Sequence, residues 1–411
     1  MREALPPPAA NARAPLSTVE LVFMVAALSA LNALAIDIML PALPDISAEY
    51  ALANANDRQL VVVIYVVFFG IAQLVYGPLA DAYGRRSVLL GALTIFALST
   101  MLCVVAPRFE LLLAARALQG VGAAATRVIA TAVVRDLCSG RRMAQIMSMA
   151  MTVFMIVPIA APGVGQLVLF VAEWRWIFGA LLIYTIAVLA WTMTRLPETL
   201  AWENRIAFGP RAIARAYAAV LRERTTFWYM IATTCLTACL FAYIAASEQI
   251  FVDTYGLGAA FPLAFASVAV AITAGAYLNS RLVMRLGMRR ISHTMILWFT
   301  LISAAHALVL AAGVHSFWTF LLLLIAALIG FGLIAGNFNA LAMEPVGRIA
   351  GSASALYGAF TASVGAAIGG VIGRFYDGTA LPFIAGMAIM GALSIAALLW
   401  VERGRLFRDP A

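Results

Sequence analysis

No lysine occurs in the 411 residues; all 27 basic side chains are arginine. A P-loop needs a Lys after its glycines to reach the phosphates. Schiff-base catalysis needs a Lys amine. The chain can support neither. Charge is scarce as well, at 11% of residues against about 25% in soluble domains. The four cysteines, Cys103, Cys138, Cys235 and Cys239, form no CxxC, which argues against a disulfide framework or a metal site. Cys103, Cys235 and Cys239 fall in apolar runs, where Cys packs as a small hydrophobe. The only histidines are His293, His306 and His315. None stands in an HExxH pattern or beside a nucleophile, so an embedded hydrolase is disfavoured. No nucleotide-binding domain is present to use ATP directly.

What the chain has in excess is apolar surface. Hydrophobic residues make up 64% of it, against about 45–50% in soluble proteins. Lipid accommodates such a surface; water does not. Each helical residue rises about 1.5 Å, so a hydrocarbon core of about 30 Å takes roughly 20 apolar residues per crossing. Apolar runs occupy residues 18–43, 58–79, 87–106, 109–134, 144–170 and 175–195. They resume at 226–252, 260–284, 291–313, 316–343, 349–373 and 380–401. These predict an all-α membrane protein of twelve spans. The first run is too long for the apolar part of a signal peptide and reads as span one.

Arginine sets the orientation. With both termini in the cytoplasm, 21 Arg fall on the cytoplasmic side and 4 on the other; Arg116 and Arg127 lie inside span four. Membrane proteins keep positive charge inside. The net charge of +8 therefore points to a lipid bilayer as partner and away from nucleic acid. Residues 196–225 form the longest polar stretch and read as a cytoplasmic linker with a short helix near 210–222. The predicted organisation is a tail at 1–17, a six-helix bundle at 18–195, the linker at 196–225, a second bundle at 226–401 and a tail at 402–411.

The two bundles repeat. The turn after span two reads GPLADAYGRR (77–86), and the turn after span eight reads SRLVMRLGMRR (280–290), with Met284 where the first copy has Asp81. Gly84 and Gly287 stand 203 positions apart, about half the chain. Many transporters are built from such repeats, with the substrate site near the midplane between them.

These residues resemble the major facilitator superfamily. GPLADAYGRR is similar to its loop signature between helices two and three. ARALQGVGAAATRVIATAVVRD (115–136) resembles the helix-four signature of its proton-coupled drug exporters. IVPIAAPGVGQ (156–166) resembles the antiporter signature of helix five, with Ala161 where Gly is usual. AIDIMLPALPDI (35–46) and NFNALAMEPVGRIAGSASALYG (337–358) resemble the bicyclomycin/chloramphenicol-resistance (Bcr/CflA) type. The resemblance implies two pseudo-symmetric six-helix bundles, a small-molecule substrate, a monomer, and the proton as coupling ion with no other cofactor.

Several residues could carry the chemistry. Asp37 lies in an apolar helix one turn before Pro41. A carboxylate at membrane depth is costly unless it faces a wet cavity or a partner. It is either an interfacial helix-end residue or a proton-binding group, and the resemblance favours the second. Arg116 sits about two turns into span four, at a depth like that of Asp37, and the two are expected to face each other as a pair that protonation loosens. The resemblance gives Arg116 a part in proton coupling. Arg127 follows by eleven residues, close to three turns, on the same face. It reads as cavity-facing or as structurally paired. Gln119, Tyr243 and Glu248 complete the expected cavity set, although Glu248 also suits an interface. Ser29 stands where related exporters sometimes carry a second carboxylate, which favours neutral or zwitterionic cargo.

Gly77, Asp81, Gly84, Arg85 and Arg86 form an expected conformational gate. Asp81 would answer the positive N-terminus of span eleven, near Arg348. Pro158 and Pro162, which break backbone hydrogen bonding, and Gly165, which lets helices approach, mark span five as a hinge and packing surface. Together the sequence predicts proton-coupled export of small amphipathic molecules by alternating access; the alternative is transport of a specific metabolite such as a peptide, amino acid or siderophore.

Overall fold

With no water to bond it, backbone in lipid must satisfy its own amides, and an apolar stretch does so as a helix. The computed structural model describes residues 16–138 and 140–407; the outer parts of both expected tails, residues 1–15 and 408–411, lie outside these. The first half comprises α1 (Thr18–Asp37), α2 (Leu43–Glu49), α3 (Leu60–Tyr83), α4 (Arg85–Val105), α5 (Phe109–Leu137), α6 (Gly140–Leu169) and α7 (Arg175–Arg195). A linker helix, α8 (Pro210–Arg222), follows. The second half comprises α9 (Arg224–Glu248), α10 (Phe261–Leu286), α11 (Met288–Ala311), α12 (Phe317–Met343), α13 (Ala350–Arg374) and α14 (Leu381–Val401). Among the described residues there are 12 segments long and apolar enough to span a membrane, α1 and α2 together making the first.

The repeat seen in the sequence is geometric too. α3 turns into α4 through Gly84 at φ 96°, and α10 turns into α11 through Gly287 at φ 79°. A side chain would strain either corner, because only glycine enters this region freely. Between the halves, α3 packs along α13 and α6 along α10. α8 joins them at one end of the bundle. Its Tyr217 hydroxyl donates to the Leu74 carbonyl of α3 at 2.7 Å, while Val220 packs against Val346, Ala353 and Leu356 of the second half.

The two ends of the bundle differ. At the end away from the linker the halves are laced by polar contacts. Only 17% of the apolar stretch of α6 is buried, against 67% in α5 and 72% in α1 and α9. The face pattern of α5 changes along its length. Leu111 and Leu118 are exposed on its outer side, whereas Arg127 and Thr131 are exposed lower down. At 3.6 residues per turn these two sit on roughly the opposite side of the helix from Leu111, the side that Arg116 and Gly120 bury. Both are therefore accessible on the side of α5 that faces the bundle interior, nearer the linker end.

Candidate functional site

Asp37 is the last residue of α1. Pro41 has no N–H to continue the ladder, and the chain passes into a 3-10 turn at Leu40–Ala42. The break leaves the carboxylate inside the bundle: Asp37 is 5% exposed, and its Oδ1 has no hydrogen-bond partner among the described residues. Tyr65 of α3 and Tyr243 of α9 lie near enough to feel its charge, so Asp37 sits where the two halves meet. Ser29, two turns earlier, returns its hydroxyl to the Val25 carbonyl at 2.9 Å.

The expected ion pair between Asp37 and Arg116 is not formed. Arg116 is fully buried and spends its donors elsewhere: Nε on the Val61 carbonyl at 2.9 Å and one terminal nitrogen on the Ala35 carbonyl at 2.9 Å. The other bonds Gln119. Ala35 is open to this because carbonyls in the last turn of a helix lack intrahelical partners. The guanidinium also lies 4.3 Å over the Tyr65 ring, and the Tyr65 hydroxyl donates to Asn32 at 3.0 Å. Arg116 thus clamps the broken end of α1 to α3 and α5, one turn from Asp37. Gln119 belongs to the same cluster. It is fully buried and passes from Arg116 to the Thr100 hydroxyl at 2.7 Å.

Tyr243 is likewise buried, stacked on Phe265 with ring centroids 5.3 Å apart and bonded to the Phe265 carbonyl at 3.3 Å. Arg127 is the member of the expected cavity set that is open. Its side chain has no ion pair or hydrogen bond among the described residues, and only its backbone carbonyl accepts, from Thr131.

Glu248 belongs to a different constellation. At the last residue of α9 it is 0% exposed and faces Arg58 of the first half at 3.1 Å. Arg58 hydrogen-bonds Asp253 at 2.6 Å. Around this triad the halves exchange further bonds. Gln59 bonds Gln249 and the Gly373 carbonyl at 3.2 Å. Gln249 donates to Asn56 at 2.8 Å, and Asn56 donates to the Arg374 and Tyr376 carbonyls at 3.1 and 2.9 Å. Arg374 pairs with Asp57 at 2.7 Å. Sequence reasoning missed this seal. Its one visible signal was the polar group Asn56–Gln59 at the mouth of span two.

At the linker end, Asp81 pairs with Arg85 at 2.6 Å, and Arg85 reaches Asp136 at 3.1 Å. The expected contact of Asp81 with the N-terminus of α13 is not made. The α4 N-terminus is answered instead, by Glu198 at the start of the linker, whose carboxylate accepts from the Arg85 and Arg86 amides at 2.8 and 3.3 Å. Arg86 donates to the Met193 carbonyl at 2.7 Å. Gly77 approaches Val128 of α5 at 4.0 Å, the nearest atom a Cβ there would meet. The Asp–Gly–Arg group therefore ties α3, α4, α5 and the linker together within the first half. Pro158 and Pro162 lie inside the single helix α6. Gly165 serves close approach inside the first half, because a Cβ there would strike the Ile38 carbonyl beside Asp37.

Known proteins share this architecture. The model of the Major Facilitator Superfamily matches residues 25–370. The uncharacterized MFS-type transporter YdgK of Bacillus subtilis is 31% identical over 388 residues, covering 92% of this chain and 95% of that protein. A bicyclomycin resistance protein homolog of Haemophilus influenzae is 27% identical over 401 residues, covering 95% and 98%. The fold is that of the xylose transporter XylE from E. coli in a partially occluded inward open conformation, with a TM-score of 0.72 at 12% identity over 96% of this chain and 99% of that one.

Proposed function

Since the chain belongs to the major facilitator superfamily and is a multi-pass transporter rather than an enzyme, we propose that it exports small amphipathic molecules in exchange for protons. The observation that carries the reading is Asp37, a buried carboxylate at a helix break between the halves with an unpartnered oxygen. A group placed so can hold the coupling proton and surrender it when the surroundings change. The similarity to a bicyclomycin resistance protein homolog supports drug-like cargo. No other cofactor is required, and the working unit is the monomer.

The 21-to-4 arginine asymmetry puts the linker end in the cytoplasm of a bacterial cell, with both termini there. In this reading the polar seal around Arg58 and Glu248 is the outer gate, closed. Cargo enters between the two halves from the cytoplasm or inner leaflet. A proton arriving from outside on Asp37 resets the cycle, with Arg116 holding the end of α1 in place.

A second reading, transport of a specific metabolite with an anionic or zwitterionic group, is favoured by Arg127, a cation open to the inner space without a partner. Both readings meet one test. In reconstituted vesicles under an imposed pH gradient, chloramphenicol, bicyclomycin and a lipophilic cation are offered, and proton movement is followed. Coupling to any of them that disappears in Asp37→Asn supports drug export. Full coupling in a folded Asp37→Asn protein sinks the role of Asp37, and no coupling with any of the three transfers the weight to a narrow metabolite.

A further inference from the structure

Glu248 is buried beyond what its partners satisfy. Both carboxylate oxygens lack a hydrogen bond although Arg58 stands 3.1 Å away. The two observations agree once direction is considered: the Arg58 nitrogen nearest Glu248 is the one donating to Asp253 at 2.6 Å, so Glu248 receives proximity without a directed bond. The Nε of Arg58 is unpartnered as well.

The groups facing Glu248 are few. Arg58 comes from the 3-10 turn Ala55–Gln59. Asp253 comes from the π-helical turn that continues α9. Asp45 of α2 and Tyr376 beyond α13 are near enough to interact with it. Gln249 beside it is occupied by Gln59 and Asn56. Arg374 is taken by Asp57. α10 presents apolar Phe261 and Phe265 at this end. One guanidinium thus stands between two carboxyl groups, bonded to Asp253 and close to Glu248, with Asp45 a third acid near Glu248. Asp45 is exposed, and the Asp253 side chain is 42% exposed and directly bonded. Solvent reaches both, and Arg58 bonds Asp253. Glu248, at 0%, has Arg58 at 3.1 Å but neither solvent nor a directed hydrogen bond among the described residues. A buried charge without directed partners costs several kcal/mol.

We propose that Glu248 is a second proton-binding site, and that the seal between the halves at this end closes with a proton on it. The proton's oxygen–hydrogen bond forms on the carboxylate while the gate is open and the group is wet. Closure then leaves Arg58 with Asp253 as a neutral pair. Opening draws Arg58, which belongs to the other half, away from Glu248, rehydrates the carboxyl and lets the proton leave to water. Asp37 would be the site of coupling, and Glu248 the site that makes gate closure sensitive to external pH. This rests on the alternating-access reading.

The test measures gate distance. Spin labels are placed on Ala53→Cys and Phe375→Cys, both exposed and outside the seal, in a Cys138→Ser background, since the other three cysteines are buried. Lowering the pH from mildly alkaline to mildly acidic should shift the unsubstituted gate toward the short distance. Glu248→Gln should show the short distance throughout, with the pH shift lost. Glu248→Asp should restore a pH shift, and Asp37→Asn should keep it. A Glu248→Gln gate that titrates like the unsubstituted one, or an Asp37→Asn gate that loses its titration, overturns the proposal while leaving alternating access standing. An unsubstituted gate that holds one distance at every pH also overturns the proposal, and one that holds it with cargo and a pH gradient as well overturns alternating access.

Discussion

Arg58, at the mouth of the second membrane span, lies 3.1 Å from Glu248, which ends the seventh. They stand 190 positions apart, on opposite halves of the molecule. Any motion that opens this end must separate them, so the pair reports directly on the conformation.

Removing Arg58 should loosen the closed state. Its bonded partner across the halves is the partly exposed Asp253, and a hydrogen bond to a charged group contributes about 1.5–3 kcal/mol, toward the lower end where solvent reaches it. In Arg58→Ala, spin labels on Ala53→Cys and Phe375→Cys should shift toward the longer distance relative to the Arg58 parent. An unchanged distance would mean that the Gln59, Gln249 and Asn56 bonds hold the seal alone.

Arg116 should resist conservative replacement. Its planar fork bonds Ala35, Val61 and Gln119 at once, a geometry that a Lys ammonium does not reproduce. Hydrogen bonds to charged groups contribute about 1.5–3 kcal/mol each, so Arg116→Lys should lower thermal stability in detergent as well as transport. A Lys variant with the parent melting temperature and transport rate would remove Arg116 from its clamping role.

Span five offers an internal control. A Cβ at Gly165 would strike the Ile38 carbonyl, whereas one at Gly163 meets nothing within 4 Å. Gly165→Ala should push α6 away from the end of α1, costing about 1–3 kcal/mol and reducing proton-driven efflux. Gly163→Ala should leave both unchanged. Equal behaviour of the two variants contradicts the close-approach account.

Glu198 should act as a helix cap from outside its helix. Its carboxylate takes the Arg85 and Arg86 amides at the positive end of α4. Loss of such a cap costs about 1 kcal/mol. Glu198→Ala should therefore melt slightly earlier while retaining transport, and a collapse of expression would show that the linker depends on it far more heavily.

Arg127 should affect cargo choice more than stability. Its side chain has no hydrogen bond or ion pair among the described residues that the substitution would remove. Arg127→Gln is expected to leave the melting temperature within the error of measurement. It should weaken competition by anionic or zwitterionic compounds about tenfold, the effect of some 1.4 kcal/mol, and spare that by neutral ones. Equal competition by all classes would exclude Arg127 from the binding site.

The sequence by itself determined what depends on local chemistry. Apolar runs bounded by arginine fixed twelve spans, because lipid admits only self-satisfied helices of that length. Gly84 and Gly287 marked the equivalent corners, because left-handed backbone favours glycine. Asp37 before Pro41 announced a polar group at a helix break. What only the tertiary structure decided was partnership. Arg116 was legible as a buried cation, yet its partners were the free carbonyls of a helix end, which no side-chain pattern encodes. Gln119 and Tyr243 looked like cavity residues because a polar atom in a span suggests a ligand, but neighbouring helices satisfied both. Glu248 found Arg58, and the α4 N-terminus found Glu198 rather than a span-eleven contact with Asp81. Such pairings follow from how the two halves lean against each other, and that angle is set by the summed packing of helices distant in the chain.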